Sequence, residues 1–366
     1  MRRKVSYHCC YVLLVWVALI NVFCMFSTLG LYEDILCANE SDPEDNVGDN
    51  NNAKKPFNGM FSVHSQDVEA ALNAGQTMEV VDLSTESFND LAPLTKLNPK
   101  TLILTDCDEI TDFSPLQKMT SLEVLRLSGT RFADLRLLMG LKLQRLSLCG
   151  CPIKDYTPLA NITTLRELRI GGREAGASLS VLRNLHLETL WLENNRSGNE
   201  IDFAVLESVK ELQTLFLRFV NDCDCEKLSR LRLQHLAFDN CEGIFNLHAI
   251  SRISSLQDFG MMGSTVSDLG FLSGLSLRSL TLRNCSKLTD ISPLTRMATL
   301  KKLTLSGSSV SSLAPLKNLR LQELEIDYCK GIADLSPLHG QTSLQRFSAD
   351  GTQFGDTPLP EIIKTK

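Results

Sequence analysis

From residue 78 onward the apolar positions return in a fixed frame. The pattern L-x-x-L-x-L begins at Leu122, Leu143, Leu165, Leu187, Leu212, Leu233, Leu256, Leu277, Leu300, Leu321 and Leu344, with weaker copies opening at Met78 and Pro99. Successive starts lie 21 to 25 residues apart. In LRELRI (165–170) or LKKLTL (300–305), the apolar residues at positions four and six of the unit fall on one side of a short extended strand. One such strand cannot bury its own apolar side, whereas stacked neighbours make a continuous core. Thirteen copies in one register therefore predict an α/β repeat solenoid. Its concave side is a parallel sheet, and short helices or 3₁₀ turns line its convex side.

The second half of each unit supplies the turn. It reads D-x-S/T/A-P-L at Asp90–Leu94, Asp112–Leu116, Asp155–Leu159, Asp290–Leu294 and Asp334–Leu338. Ser114, Thr157, Ser292 and Ser336 are the expected helix N-caps, and the proline after each suits the first helical position. The recurring aspartate, once per unit at one structural point, reads as a turn-forming acceptor and not as an acid or a metal ligand.

A second period overlies the first. Units alternate, commonly 21 then 23 residues, so the full period is close to 44. Position nine shows it best. Alternate units carry Cys107, Cys151, Asn195, Cys241, Cys285 and Cys329, and the units between carry Thr130, Ser264, Ser308 and Thr352, with Arg173 and Val220 breaking the series. Leucine-rich repeats usually hold an Asn here, bonded to backbone groups where the chain leaves the strand, and Cys, Thr and Ser can fill the slot as weaker donors. Equivalent positions two units apart are about 10 Å apart, beyond disulfide reach, so these cysteines are expected to be free buried thiols.

Residues 65–358 resemble leucine-rich-repeat proteins of the internalin-type bacterial class and the related phosphatase-regulatory class, which share the x-D-I-x-P-L half-unit. The Cys/Thr alternation is similar to repeat proteins of some parasitic protozoa. The resemblance implies a leucine-rich-repeat horseshoe and a binding scaffold, with no one ligand. The ladder Asn is mostly absent here, and after Leu344 the pattern decays through Phe347 and Ala349 without the separate cap domain of the internalins.

The remaining segments divide the chain. Residues 1–31 form a signal peptide or signal anchor: Arg2, Arg3 and Lys4 precede an uncharged apolar run over 11–31, long enough to span a bilayer, and acidic residues follow at once. Thr28-Leu29-Gly30 is a passable cleavage site. Residues 32–56, rich in Asn, Asp and Glu, form an acidic disordered stalk. Residues 57–77 hold a cap built on a short amphipathic helix, roughly Asp67 to Ala74, stopped by Gly75. The solenoid occupies 78–358 and a tail 359–366. The basic–apolar–acidic order places the solenoid on the exoplasmic side, membrane-anchored or secreted, with a cytoplasmic site the lesser alternative. Of four sequons, Asn39, Asn161, Asn195 and Asn284, the first two are the expected glycan acceptors and Asn195 is expected to be buried at its ladder position.

The chemistry is that of a binder. A net charge of −6 over 366 residues argues against nucleic acid as partner. No P-loop, HExxH, GxSxG or CxxC motif occurs, and the six histidines are scattered. Cys223, Cys225, His235 and Cys241 match no standard zinc spacing. The expectation is a non-enzymatic scaffold without cofactor or metal, recognising a protein or glycan. The alternative is an intracellular regulatory subunit associated with a phosphatase or ubiquitin ligase. Strand positions on the concave side carry Arg126, Arg145, Arg166, Arg169, Trp191, Phe216, Arg218 and His235, and the irregular units lie beside them. Aromatic and arginine side chains of this kind make protein-binding hot spots. Trp191 and Phe216 either form that contact surface or cover a looser stretch of core left by the long loops.

Overall fold

A computed structural model describes residues 65–355 and Thr357, apart from Thr85, 173–178 and 195–202. The described solenoid falls within one compact unit. The expected signal, stalk and tail, together with Asn39, Arg173 and Asn195, lie outside the described residues. Among the described residues no helix is long and apolar enough to cross a membrane.

Helix α1 (Ser65–Asn73) opens the described chain, with Val68 and Ala71 buried against the first unit. Gly75 ends it in a left-handed conformation, its N–H donating to the Leu72 carbonyl. Thirteen strands then stack in strict chain order into one parallel sheet. They are β1 (Val80–Asp82), β2 (Thr101–Ile103), β3 (Val124–Arg126), β4 (Arg145–Ser147), β5 (Glu167–Gly172), β6 (Thr189–Asn194) and β7 (Thr214–Arg218). They continue as β8 (His235–Asp239), β9 (Asp258–Met262), β10 (Ser279–Arg283), β11 (Lys302–Thr304), β12 (Glu323–Glu325) and β13 (Arg346–Ser348). Register follows the sequence frame throughout. Leu125 pairs Leu146, Leu146 pairs Leu168, and Leu303 pairs Leu324. The leucines at positions one, four and six are almost wholly buried and run together as one core along the solenoid.

The convex side is built from 3₁₀ turns such as Ser114–Lys118, Thr157–Asn161 and Ser292–Arg296, with one short helix, α2 (Cys225–Leu228), in the row. The capping expectation needs correction. Ser114, Thr157, Ser292 and Ser336 lie inside their turns and cap nothing; the aspartate two residues earlier does so. Asp112, Asp155, Asp290 and Asp334 each accept the backbone N–H of the Ser or Thr, at 2.7–2.9 Å. Because the turn is 3₁₀ and starts one residue earlier than an α-helix with Pro at N1 would, the acceptor moves back into an Asx turn.

The 44-residue period has a bonding basis. Cys107, Cys151, Cys241, Cys285 and Cys329 each donate their thiol to the position-six carbonyl of the preceding unit, at 2.9–3.5 Å. In the unit before Cys151, Thr130 donates its hydroxyl to that same Leu127 carbonyl at 2.7 Å and meets Cys151 Sγ at 3.7 Å. Ser308 meets Cys329 Sγ in the same way at 3.4 Å. Thr130 and Cys151 thus share one acceptor, and in both pairs a hydroxyl unit and a thiol unit meet as a two-strand module. Position eight alternates too: Asn240, Asn284 and Tyr328 alternate with Gly263, Gly307 and Gly351, all left-handed. At Gly307 (φ 71) an added Cβ would lie 2.3 Å from Asn284 Oδ1 of the previous unit, so the bulky residue of one unit leans over the glycine of the next.

Candidate functional site

The strand register resolves the concave side into three rows, positions three, five and seven of each unit. Arg126, Arg169, Trp191 and Phe216 stand in the middle row, Arg145 and His235 in the row at the strand entry, and Arg218 in the row at the exit. Arg166 is exposed but precedes β5. Its guanidinium donates to the His186 carbonyl at 3.0 Å on the entry edge, away from the middle row.

The two aromatic rings at the centre are covered. Trp191 and Phe216, expected either to form a contact surface or to cover a looser stretch of core, are 7% and 5% exposed. They pair across β6 and β7 with ring centroids 3.7 Å apart and planes 28° apart, and the Arg169 guanidinium lies 5.1 Å from the Trp191 ring centre. Adjacent strands bring middle-row side chains to stacking distance, so two large rings in neighbouring units cover one another. Neither ring joins the leucine core beneath the sheet.

Most of the expected basic side chains already have an acidic neighbour. Arg169 Nε meets Glu167 at 2.8 Å, and Arg145 meets the same carboxylate at 3.7 Å. Arg218 pairs with buried Asp239 at 3.0 Å, and His235 with Asp258 at 2.5 Å. Burial holds the carboxyls of Glu193 and Asp239 above the usual range against the opposing pull of Arg218. Further along, Arg283 reaches Glu325, which also accepts the Ser306 hydroxyl at 2.8 Å. Reading the middle row alone misses Glu167, Asp239 and Asp258; the entry and exit rows of the same repeat frame carry the signal. Arg126 differs from its neighbours. Among the described residues no carboxylate lies within ion-pair distance of it. Burial, reinforced by the guanidiniums of Arg169 and Arg145, pushes it below the ordinary arginine value, while Glu167 and Asp82 act the other way.

Elsewhere a groove of about 950 Å³ opens beside the exits of β8 and β9, with Leu247, Met261 and Phe271 among its walls and Glu242 and Asp268 also lining it. Among the described residues no group of three or more His, Cys, Asp or Glu side chains could hold a metal ion.

Comparison with known proteins agrees with this architecture. A family model for the R13L1/DRL21 LRRs matches residues 177–308. The crystal structure of an internalin (inlF) from Listeria monocytogenes is 21% identical, with 78% of this chain and 83% of that chain covered and a TM-score of 0.53. The TLR13–ssRNA13 complex is 18% identical, with 80% of this chain and 52% of that chain covered and a TM-score of 0.51. No curated protein matches the chain.

Proposed function

Starting from a chain that is a leucine-rich-repeat protein of internalin-like fold, we propose that it is a non-enzymatic binding scaffold whose concave sheet face engages a protein partner on the exoplasmic side of a membrane. The observation that carries the reading is the concave face itself. It stacks thirteen strands in one register, so side chains from many units converge on one continuous surface. A surface of that kind recognises another macromolecule by many small contacts. The basic–apolar–acidic order of the first 45 residues supports the exoplasmic side. The sequons at Asn161 and Asn284, both exposed, are available to a glycosylating compartment.

Photo-crosslinking residues placed at Arg145 and Arg346, on the concave rows, and at Lys118 and Lys154, away from the strands, test the surface in cells. Adducts with one defined protein from the concave sites alone are expected. Adducts from Lys118 and Lys154 alone would assign binding to the opposite side. A glycosidase shift with protease protection of microsomes tests the compartment: a C-terminal tag digested in intact microsomes, with no glycan on any sequon, favours the intracellular adaptor reading instead.

A further inference from the structure

We propose that the concave face at β3–β5 is a docking site for a short acidic segment of a protein partner, received by Arg126 and Arg145 with Arg169 behind them. The inference rests on the binding-scaffold reading and names the chemistry of what is bound.

On these three strands the concave rows hold three arginines and one carboxylate, Glu167. Glu167 is shared between Arg145 and Arg169, and Arg126 has no carboxylate at ion-pair distance among the described residues. Arg126 therefore brings a positive charge without a carboxylate at ion-pair distance to a partly buried position, where opposite charge is attracted more strongly than in open water. The Ser128 and Ser147 hydroxyls, 2.7 Å apart, stand beside the guanidiniums and supply further donors. Arg169 is fixed between Glu167 and the Trp191 ring, whereas the Arg145 side chain is about half exposed.

The extent of the patch identifies the occupant. Two strand spacings separate Arg126 from Arg169, about 10 Å. In an extended peptide, carboxylates on alternate residues stand about 7 Å apart and face the same way, so two or three acidic residues span the patch. A nucleic acid would have to continue along the solenoid. From β6 to β13 the concave rows turn against it: carboxylates such as Glu193, Asp239, Glu325, Asp327 and Asp350 outnumber Arg and Lys. A polyanion gains on three strands and is repelled on the next eight, while a short acidic segment gains only.

Fluorescein-labelled octaglutamate, titrated into the full chain at low salt and followed by anisotropy, tests the proposal, with octalysine and oligouridylate of equal length as rivals. Octaglutamate is expected to bind, to weaken as salt rises, and to lose at least tenfold in affinity with Arg126→Glu. Arg126→Lys should stay within a few-fold of the parent, and Lys118→Glu, away from the strands, should match it. An unchanged thermal unfolding profile for Arg126→Glu shows that the loss is local; should that variant fail to fold, Arg145→Glu carries the same test. Equal octaglutamate affinity in the reversal variants overturns the proposal, and tighter oligouridylate binding through the same arginines replaces the acidic segment with RNA. Concave crosslinks that persist through Arg126→Glu would remove this inference and leave the scaffold reading standing. Empty concave crosslinks would remove both.

Discussion

The units at β10–β13 and those at β5–β8 solve the same stacking problem by different means. In the C-terminal units the strands β11–β13 are three residues long, and each module is closed by small polar groups: Cys285 and Cys329 to backbone carbonyls, Ser308 to Cys329, Asn284 over Gly307. In the middle units the pairing runs to six residues between β5 and β6, and Val220 fills the ladder slot with no polar group at all. At that slot bulk stands in place of a polar group. Phe203 and Phe238 are fully buried, Trp191 stacks on Phe216, and Gly171 lets Glu193 approach so closely that an added Cβ would lie 2.5 Å from it. A regular solenoid unit is held by short-range backbone chemistry; an irregular one needs side-chain volume and longer pairing. The two regions should therefore fail under different insults.

The largest expected effect lies in the middle. Truncating Trp191 to Ala removes a buried ring from a stacked pair and should cost about 3–5 kcal/mol in urea unfolding. Phe216→Ala should behave alike, and the double variant should cost less than the two together because they lose the same contact. Full stability with weakened partner binding would favour the contact-surface reading of Trp191 over the packing one.

Next come the glycines of the C-terminal units. Gly307→Ala meets two penalties, the left-handed backbone, worth about 1–2 kcal/mol, and the collision with Asn284. Gly274 is also left-handed (φ 88) but has nothing within 4 Å of an added Cβ, so Gly274→Ala should register only the backbone share. Adding Asn284→Ala to Gly307→Ala should recover the difference. Equal losses in the two glycine variants would remove the interlocking of alternate units as an explanation for the 44-residue period.

Much of this was legible in the residues. The leucines at positions four and six, the register that makes Trp191 and Phe216 neighbours, and the aspartate as turn acceptor follow from spacing alone, because period and turn chemistry are local. Whether a concave side chain is open is not local. It depends on what the adjacent strands set against it, which is why Trp191 reads as exposed in one unit and is covered once Phe216 and Arg169 stack beside it. The Asx turns illustrate a finer limit: the D-x-S-P string fits a serine cap on an α-helix or an aspartate cap on a 3₁₀ turn, and only the backbone decides.

The ladder thiols give a smaller effect with a definite sign. Burial pushes Cys285 up to about 11 and Cys241 to about 12, while an unfolded thiol titrates near ~8.5. Their contribution to stability is complete below that unfolded value and is lost as pH rises toward the folded one, because the unfolded chain releases protons that the folded chain retains. Each thiol should contribute up to ~1.4 kcal/mol of loss per pH unit in that window. Cys285→Ala should flatten the alkaline slope of urea-unfolding stability between pH 9 and 10, and an unchanged slope would mean that the thiol is open to solvent.

The smallest effect sits on the acid side and falls in the regular units. The Asp290 carboxyl is held below its usual range by the backbone N–H of Ser292 and then by the serine hydroxyl. A depressed carboxylate contributes above its unfolded value, near pH ~4, and that contribution disappears as pH falls through the folded value. Asp112 and Asp155 are depressed by the same bonds to Ser114 and Thr157, whereas the Leu179–Asn184 turn of the middle units carries no D-x-S/T-P sequence before it. Amide exchange measured from pH 5 down to pH 3 should therefore show protection falling first in the turns at 114–118, 157–161 and 292–296, ahead of 179–184. Asp290→Asn keeps an acceptor without the charge, so the 292–296 turn should lose its acid dependence while neighbouring turns keep theirs. Uniform loss along the solenoid, or an Asp290→Asn turn that still opens in acid, would show that the aspartates do not set the local stability of the regular units.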